Sequence, residues 1–239
     1  MIRVSHLTKT YGRFTAVNDL SFDVAPGEIV GLLGPNGAGK TSTLRCIVGI
    51  QAPSAGEITI GRHNIVTSPV AAKREIAFMA DEPQLFDYLT VMEHLRLTAR
   101  IYEVADFDRR ASVLLGELEL SEKADALPSE LSRGMKQKVT IACGLLHEPR
   151  ALLFDEPLTG LDPLGIRQMK STIVARGKQG GAIIVSSHLL HLVEEICTRV
   201  VIINRGVKVA DGTLADLAAH ATPGSTLEEI FLTVTGPRT

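Results

Sequence analysis

Cysteine is scarce in this 239-residue sequence, which contains only three. Cys46, Cys143 and Cys197 are odd in number and lie far apart along the chain. A disulfide framework needs paired cysteines and a structural zinc site needs closely spaced ones, so neither arrangement is predicted. We therefore expect reduced, mostly buried thiols that behave as small apolar side chains.

Long apolar runs are also missing. The longest runs, such as residues 29–33 and 200–203, are far shorter than the roughly 20 residues that a membrane-spanning helix requires. The N-terminal residues 1–6 alternate polar and apolar side chains and lack the apolar core of a secretory signal. We therefore expect a chain that does not cross a membrane and that stays in the cytoplasm.

Neither sign of charge dominates, because 25 lysines and arginines face 27 aspartates and glutamates and leave a formal net charge of -2. No overall basic field therefore marks nucleic acid or an anionic membrane surface as the main partner, although local basic patches stay open. Hydrophobic residues make up 45% of the sequence and charged residues 22%, which excludes a disordered or collagen-like chain. A chain of this length has enough residues for a substantial core.

Three short apolar runs, at residues 29–33, 151–154 and 182–185, each end in a polar or glycine-rich turn. Continuous apolarity, rather than alternation, is what strands covered on both faces require. We predict that these runs form a parallel sheet between helices, with the chemistry at the carboxyl ends of the strands. A fourth run at residues 200–203 leads through Asn204-Arg205-Gly206 into another short run and predicts a hairpin that closes the sheet.

The pattern becomes helical between residues 84 and 148. Thr90 and Glu93 form a capping box ahead of an apolar series, and a later helix carries an apolar stripe that begins at Met135. We predict a helical subdomain over about 84–148, inserted into an α/β core that spans about 1–83 and 149–213. A short C-terminal tail follows over 214–239, and no internal repeat or long linker divides the chain into independent domains.

The segment Gly34-Pro35-Asn36-Gly37-Ala38-Gly39-Lys40-Thr41 fits the pattern G-x-x-x-x-G-K-[ST], directly after an apolar run and before a helical one. Glycines here let backbone N–H groups converge on phosphate oxygens, and the positive end of the next helix faces the same anion. Lys40 is then expected to reach the β- and γ-phosphates, and the Thr41 hydroxyl to ligate Mg²⁺. The residues assigned to nucleotide binding in this loop are Asn36, Gly37, Ala38, Gly39, Lys40, Thr41 and Ser42. The alternative is a merely flexible glycine loop.

Two carboxylates, Asp155 and Glu156, follow the apolar run at residues 151–154. Mg²⁺ prefers oxygen ligands and keeps several waters, so Asp155 is expected to hold it through water. Glu156 is expected to orient and deprotonate an attacking water as a general base. Taken alone the pair could be a solvated turn, but a phosphate loop in the same chain favours the catalytic interpretation.

With these motifs, the chain resembles the ATP-binding subunit of an ABC transporter along nearly its whole length. Leu131-Ser132-Arg133-Gly134-Met135 resembles the signature of that family. The resemblance implies a P-loop (RecA-like) α/β core with a mostly parallel sheet, an N-terminal antiparallel β subdomain and an inserted helical subdomain. It also implies a second ATP-binding subunit, arranged head to tail so that ATP is buried between the phosphate loop of one copy and the signature of the other.

The signature residues Ser132 and Gly134 are accordingly expected to contact nucleotide, because a capped helix N-terminus favours a γ-phosphate. The signature departs from its commonest form by Arg133 for a glycine and Met135 for a glutamine. The run that continues through Lys136 and Gln137 is similar to exporter-type members of the family. The alternative is an ordinary capped helix.

Three further positions take their roles from the resemblance. Asp162 matches the loop that links the two ATP sites, and His188 matches the switch histidine that contacts the γ-phosphate, against the alternative of a structural histidine. Tyr11 matches the aromatic that stacks on adenine, against the alternative of packing within a strand. His191 is expected on a helix surface, because no third metal ligand follows at a useful spacing.

Asp81 is the most consequential departure from the family pattern. Relatives carry a glutamine there, which touches both Mg²⁺ and the transport subunit, whereas Gln84 of this chain lies three residues later. A third carboxylate beside the metal would strengthen the attraction for Mg²⁺ but repel the γ-phosphate. We predict that Asp81 replaces the glutamine as a metal or water contact, and the rates of hydrolysis and coupling stay open.

The connection that contains Leu85, Phe86 and Tyr88 places apolar side chains where exposure is expected, and exposed apolar clusters mark partner sites. The resemblance assigns these three residues to a groove that receives a helix of a transmembrane permease subunit. The alternative is that they pack within the helical subdomain.

The sequence as a whole predicts an ATPase that uses ATP and Mg²⁺ and energises export through a separate membrane subunit, by ATP-driven head-to-tail dimerisation. The chain is expected on the inner face of the cell membrane, held there by the permease. The segment Leu227-Glu228-Glu229-Ile230-Phe231 resembles the tail of drug, lipid or polysaccharide exporters. Two alternatives stay open: a nucleotide-binding switch with weak hydrolysis, and a non-transport ABC protein that acts on nucleic acid or ribosomes. The single ATPase unit and the near-neutral charge disfavour nucleic acid as a partner.

Overall fold

The computed structural model describes residues 1–159, 161–219 and 226–236. The strands are β1 (Ile2–Tyr11), β2 (Phe14–Val24), β3 (Ile29–Leu33), β4 (Ala55–Ile60), β5 (His63–Asn64), β6 (Ile76–Met79), β7 (Ala151–Asp155), β8 (Ala182–Ser186), β9 (Arg199–Asn204) and β10 (Val207–Gly212). The helices are α1 (Lys40–Ile47), α2 (Pro69–Arg74), α3 (Val91–Tyr102), α4 (Phe107–Glu117), α5 (Arg133–Leu145), α6 (Pro163–Lys178), α7 (Leu190–Ile196), α8 (Leu214–Ala219) and α9 (Leu227–Thr235).

The central sheet has the strand order β10-β9-β3-β8-β7-β6. The five strands from β9 to β6 run parallel, and β10 pairs antiparallel with β9. The three apolar runs of the sequence are therefore neighbouring strands, as predicted, and the hairpin at residues 199–212 closes one edge. Because parallel neighbours share an orientation, the ends of β3, β6 and β7 all deliver their following residues to the same edge of the sheet.

The second sheet is antiparallel, with the order β2-β1-β4-β5. Alternate residues of the central strands face two separate cores, since successive side chains of a strand point to opposite faces. Val30 and Leu32 join the core shared with the antiparallel sheet and α1, whereas Ile29 and Leu33 join the core on the other face. Burial on both faces explains why these strands are continuously apolar.

Helices α3, α4 and α5 lie within the segment that the sequence predicts to be helical. The predicted capping box is present, because Thr90 Oγ1 accepts a hydrogen bond from the Glu93 N–H at 3.2 Å and Glu93 Oε2 accepts one from the Thr90 N–H at 2.8 Å. Leu95 and Val139 are fully buried in the same core as Met79 of β6, which fixes these helices against the edge strand of the sheet. The limits 84–148 of a separate subdomain stay a prediction.

The C-terminal segment contributes two helices to the described structure. Thr226 caps α9 in a second capping box, and Leu227 and Ile230 are buried. Residues 220–225 and 237–239 of the predicted tail lie outside the described residues. No helix of the described ranges is long and apolar enough to cross a membrane.

The three cysteines are free thiols, as expected, with Cys46 and Cys197 buried and Cys143 only partly so. Burial raises the pKa of Cys143 to about 11, although a hydrogen bond with Thr98 opposes the change. Burial alone raises the pKa of Cys197 to about 12.

Candidate active site

The glycine-rich loop connects the end of β3 to the first residue of α1, as its sequence predicts. Gly39 has a φ of 104°, and a Cβ atom there would lie 2.4 Å from the carbonyl oxygen of Ala16. Only glycine fits both the left-handed backbone and this close approach. The loop is thereby held against β2, with the N-terminus of α1 directed at the space in front of it.

Lys40 is only 8% exposed, and its ammonium is held by the loop itself. Nζ donates to the carbonyl oxygen of Gly34 at 2.7 Å and to that of Pro35 at 3.3 Å. Burial lowers the pKa of Lys40, and the nearby Glu156 and Asp155 act in the opposite direction. An arriving phosphate can exchange with these carbonyl oxygens, because a charge-assisted hydrogen bond to an anion is the stronger one.

Asp155 ends β7 and is only 6% exposed. Burial raises its pKa, and the negative charge of Asp81 acts in the same direction. A hydrogen bond with the Thr41 side chain and attraction to Lys40 oppose that rise. A buried carboxylate beside a second carboxylate is an environment that a cation would stabilise.

Glu156 follows β7 with a backbone that is rare for a residue with a side chain. Its φ is 51°, and its N–H donates to the carbonyl oxygen of Ser186 at 2.9 Å. Left-handed geometry at a non-glycine residue costs about 1–2 kcal/mol and is found disproportionately at functional sites. The turn directs the carboxylate towards the end of β8.

His188 lies directly against Glu156. Its ring Nδ1 is 2.8 Å from Glu156 Oε2, and its backbone N–H donates to the same oxygen at 3.3 Å. The histidine side chain is 58% exposed, whereas the carboxylate is 17% exposed. The pair therefore presents a carboxylate of defined orientation beside a half-exposed imidazole.

A cavity of about 350 Å³ gathers most of the predicted residues. It is lined by Tyr11, Phe14, Ala16, Asn36, Gly37, Ala38, Gly39, Lys40, Thr41, Ser42, Asp81, Asp155 and Glu156. Phe14 and Ala16 were not identified from the sequence. Phe14 begins β2 directly after the turn that follows Tyr11, and the sequence signal is only the short spacing of the two aromatic residues.

Tyr11 lies at the rim of this cavity and is 41% exposed. Its hydroxyl donates to Gln51 Oε1 and also lies 3.4 Å from Ser42 Oγ, while the Lys9 ammonium is 5.0 Å from its ring centroid. The ring is not packed away within the sheet, so it is accessible to a planar ligand.

The donor set fits a hard cation such as Mg²⁺. The Thr41 side chain and the carboxylates of Asp155 and Asp81 supply only oxygen, the ligand that Mg²⁺ prefers. In the part of the chain that the structure describes, no three or more His, Cys, Asp or Glu side chains form a group that could hold a metal ion. An incomplete oxygen set of this kind matches an ion that is shared with phosphate oxygens and water.

Asp81, and not Gln84, reaches the phosphate cavity. The Asp81 carboxylate lines it beside Asp155, whereas Gln84 lines a separate groove. Asp81 Oδ1 is also 3.5 Å from Nη2 of Arg133, the first residue of α5. Contact between these two departures from the family pattern was not predicted from the sequence.

The signature residues occupy the N-terminus of α5. Ser132 caps this helix, since its hydroxyl accepts a hydrogen bond from the Met135 N–H at 3.2 Å, as predicted. Asp162 caps α6 in the same way, accepting from the Gly165 N–H at 2.7 Å. The described residues that line the phosphate cavity do not include Ser132, Gly134 or Asp162. In one copy of the chain, these groups therefore do not line the cavity of its own phosphate loop.

An apolar groove of about 440 Å³ lies beside the helices. Its lining includes Ile76, Phe78, Leu85, Phe86, Leu97 and Cys143. Leu85 is half-buried against the core, which agrees with the packing alternative, whereas Phe86 and Tyr88 are 62% and 92% exposed. Residues 81–84 thus join the phosphate cavity to this groove.

The chain matches a known protein family and is similar to known proteins. The family model described as "ABC transporter" matches residues 17–159. The ABC-type transporter ATP-binding protein EcsA of Bacillus subtilis is 34% identical over 98% of this chain and 96% of its own length. The Nod factor export ATP-binding protein I of Paraburkholderia xenovorans is 40% identical over 96% of this chain and 76% of its own length.

The fold is also similar to that of solved ATP-binding cassettes. A structure described as the ATP-binding subunit of an ABC transporter superposes with a TM-score of 0.94 at 35% identity, covering 98% of this chain and 99% of its own. A dimeric ATP-binding cassette, in a post-hydrolysis state with ADP and Pi, superposes with a TM-score of 0.82 at 25% identity, covering 90% and 99%. The predicted P-loop α/β fold is confirmed.

Proposed function

The chain belongs to the ABC transporter family as an ATP-binding subunit with ATPase activity, and we propose that it energises export through a separate membrane subunit. The similarity to a Nod factor export protein supports the direction of transport. The cargo is not assigned, because its selection belongs mainly to the membrane subunit.

The observation that carries this proposal is the joining of Lys40, Asp155 and the Glu156–His188 pair at one edge of the sheet. Lys40 and the N–H groups of the loop would bind the β- and γ-phosphates. Thr41, Asp155 and Asp81 would hold Mg²⁺, which when bound supplies charge that stabilises the phosphates during transfer. Tyr11 would stack on the adenine.

Glu156 would act as the general base. Its carboxylate is close to the phosphate cavity, and the contact with His188 limits its orientation. A base held in one geometry removes a proton from a positioned water more effectively than a mobile one. His188 would use its remaining ring nitrogen on the γ-phosphate.

We further propose that the active unit is a head-to-tail dimer. Ser132, Gly134 and Asp162 do not line the phosphate cavity of their own chain, and we infer that this site is incomplete in one copy. A second copy would bring its capped α5 N-terminus to the γ-phosphate, where the helix dipole stabilises negative charge. The dimeric cassette with ADP and Pi supports this arrangement.

Light scattering with ATP and Mg²⁺ tests the proposal. Glu156→Gln is expected to form an ATP-dependent dimer and to lose at least about 100-fold in phosphate release, because binding is kept while the base is lost. Lys40→Ala is the matched control that fails at the earlier step of nucleotide binding. A Glu156→Gln protein that hydrolyses ATP at the wild-type rate, or that stays monomeric with ATP, contradicts the proposal.

The contact with the membrane subunit is proposed at the apolar groove and the exposed Phe86 and Tyr88. An apolar groove flanked by exposed aromatics is suited to the apolar face of a helix. This contact would keep the chain on the inner face of the cell membrane. When the membrane subunit is co-expressed, Phe86→Ser and Tyr88→Ser are expected to lower the fraction recovered with membranes without changing ATP affinity. Val113→Ser, at an exposed position of α4, is the control.

A further inference from the structure

We propose that Asp81 and Arg133 form an intrachain charge switch, in which Arg133 and a Mg²⁺-nucleotide compete for the Asp81 carboxylate. This inference rests on the proposed function and adds a link between the metal edge of the site and the helix that carries the signature. Without nucleotide, Arg133 holds the carboxylate. With Mg²⁺ and nucleotide, Asp81 turns to the metal and Arg133 is released at the start of α5.

The geometry connects two parts of the chain that are separate in sequence. Asp81 follows β6, and Arg133 opens α5 one residue after its Ser132 cap. A second contact lies beside the first, because Nε2 of the buried Gln137 donates to the carbonyl oxygen of Ala80 at 3.4 Å. Residues 80–81 are therefore joined to α5 both by a charge pair and by a hydrogen bond one turn further along the helix.

The charges around Asp81 explain why its partner would change. On the cavity side it approaches the buried Asp155, a like charge, and it lines the same space as Thr41. On the other side it meets the Arg133 guanidinium. A divalent cation beside Asp155 would convert repulsion on the cavity side into attraction and would compete directly with Arg133.

The exposure of the pair makes the exchange feasible. The Arg133 and Asp81 side chains are 54% and 44% exposed and the closest atoms are 3.5 Å apart. Exposed ion pairs of this kind contribute little to stability, so a bound cation can displace the arginine. Once released, the Arg133 side chain is free beside Ser132, where it would add positive charge to a helix end that already favours phosphate.

The test measures binding rather than turnover. The Mg²⁺ concentration at half-saturation is measured for a fluorescent ADP analogue bound to purified wild-type protein and variants. Arg133→Gln is expected to lower this midpoint about two- to five-fold, since Asp81 loses its competing partner. Asp81→Asn is expected to raise it, and in the Asp81→Asn background Arg133→Gln is expected to have no further effect.

Lys136→Gln supplies the control for general electrostatics, because Lys136 is another cation in the first turn of α5. The proposal is overturned if Lys136→Gln shifts the midpoint as much as Arg133→Gln, or if the effects of the Asp81 and Arg133 substitutions simply add. Thermal unfolding without nucleotide verifies that each variant is folded. A wild-type protein that fails to bind the analogue at any Mg²⁺ concentration overturns the proposed function itself, and the switch with it.

Discussion

His188 contacts one oxygen of Glu156 with two of its atoms, the ring Nδ1 at 2.8 Å and the backbone N–H at 3.3 Å. Removing the ring leaves only the backbone contact, so the carboxylate gains freedom to rotate. We expect His188→Ala to lower the rate of ATP hydrolysis about 10- to 100-fold, with little change in ATP affinity, because misplacing a catalytic group by about 1 Å has an effect of this size. Steady-state phosphate release and equilibrium binding measure the two quantities.

His191 provides the control for that experiment. It lies on the exposed surface of α7, three residues further along the chain, as predicted. His191→Ala is expected to hydrolyse ATP at the wild-type rate. Equal losses in the two variants would show that the His188 effect comes from a disturbed helix and not from the contact with Glu156.

The left-handed backbone of Glu156 is expected to lower the stability of the fold. Its φ of 51° is one that glycine adopts freely and other residues adopt at a cost. Glu156→Gly and Glu156→Ala both remove the carboxylate, but only glycine relieves the strain. We expect the glycine variant to be more stable than the alanine variant by about 1 kcal/mol, as measured by urea denaturation, and both to be inactive.

Arg96 in α3 supplies the reference pair for this comparison. It is exposed and helical, so Arg96→Gly is expected to be less stable than Arg96→Ala by roughly 1 kcal/mol. The order of stabilities should therefore reverse between the two positions. The same order at both would mean that the geometry at Glu156 stores no strain.

Asp211 of β10 is expected to stabilise the fold at neutral pH but not in acid. Burial acts to raise its pKa, but hydrogen bonds from Arg199 and Lys208, each 2.7 Å long, outweigh burial and hold the pKa below its ordinary value. A lowered folded-state pKa stabilises the fold at pH values above the ordinary pKa. That contribution is lost as the pH falls below about 4 towards the folded-state pKa.

Asp211→Asn is therefore expected to lower the free energy of unfolding by about 1–2 kcal/mol at pH 7 and to flatten its decrease below pH 4. Denaturation curves between pH 3 and 7 measure this difference. Glu117→Gln, which breaks an exposed pair with Arg176, is the control and should leave both quantities nearly unchanged. If the free energy of unfolding of Asp211→Asn decreased below pH 4 as steeply as that of the wild type, the role of Asp211 would be wrong.

The three cysteine thiols are expected to react slowly in the native protein. Burial raises the pKa of all three thiols, to about 11 for Cys143 and about 12 for Cys197, while Lys9 partly opposes the rise at Cys46. The thiolate is the reactive form, so thiols whose pKa is raised by burial react slowly at pH 8. We expect a disulfide reagent such as Ellman's to label the native chain slowly and to titrate three thiols only after unfolding. Rapid stoichiometric labelling of a native thiol would be the contrary result.

Local patterns identified much of the site. The phosphate loop, the Asp155-Glu156 pair and the caps at Thr90 and Ser132 depend on residues close in sequence, and backbone geometry links short spacings directly to structure. The order of the strands follows less directly, but continuous apolarity did identify β3, β7 and β8 as buried neighbours. The roles of the individual site residues and the limits of the helical subdomain stay predictions.

Contacts between residues that are distant in sequence could not be predicted from local patterns. Phe14 at the start of β2 lines the phosphate cavity formed largely by the loop after β3, and Leu85 is half-buried whereas Tyr88 is 92% exposed. Such outcomes depend on how layers pack, and one residue of displacement reverses the face of a strand or changes the direction of a loop.

The sequence by itself determined the local groups from which the site is predicted: a glycine-rich loop that ends in Lys40 and Thr41, and the adjacent carboxylates Asp155 and Glu156. Only the tertiary structure decided which of these groups meet, because Asp81 reaches Arg133, and Glu156 reaches His188, across gaps that the packing of separate strands and helices closes. Short-range spacing is set by the covalent chain, whereas the distance between remote side chains is set by the burial of the cores that hold their elements together.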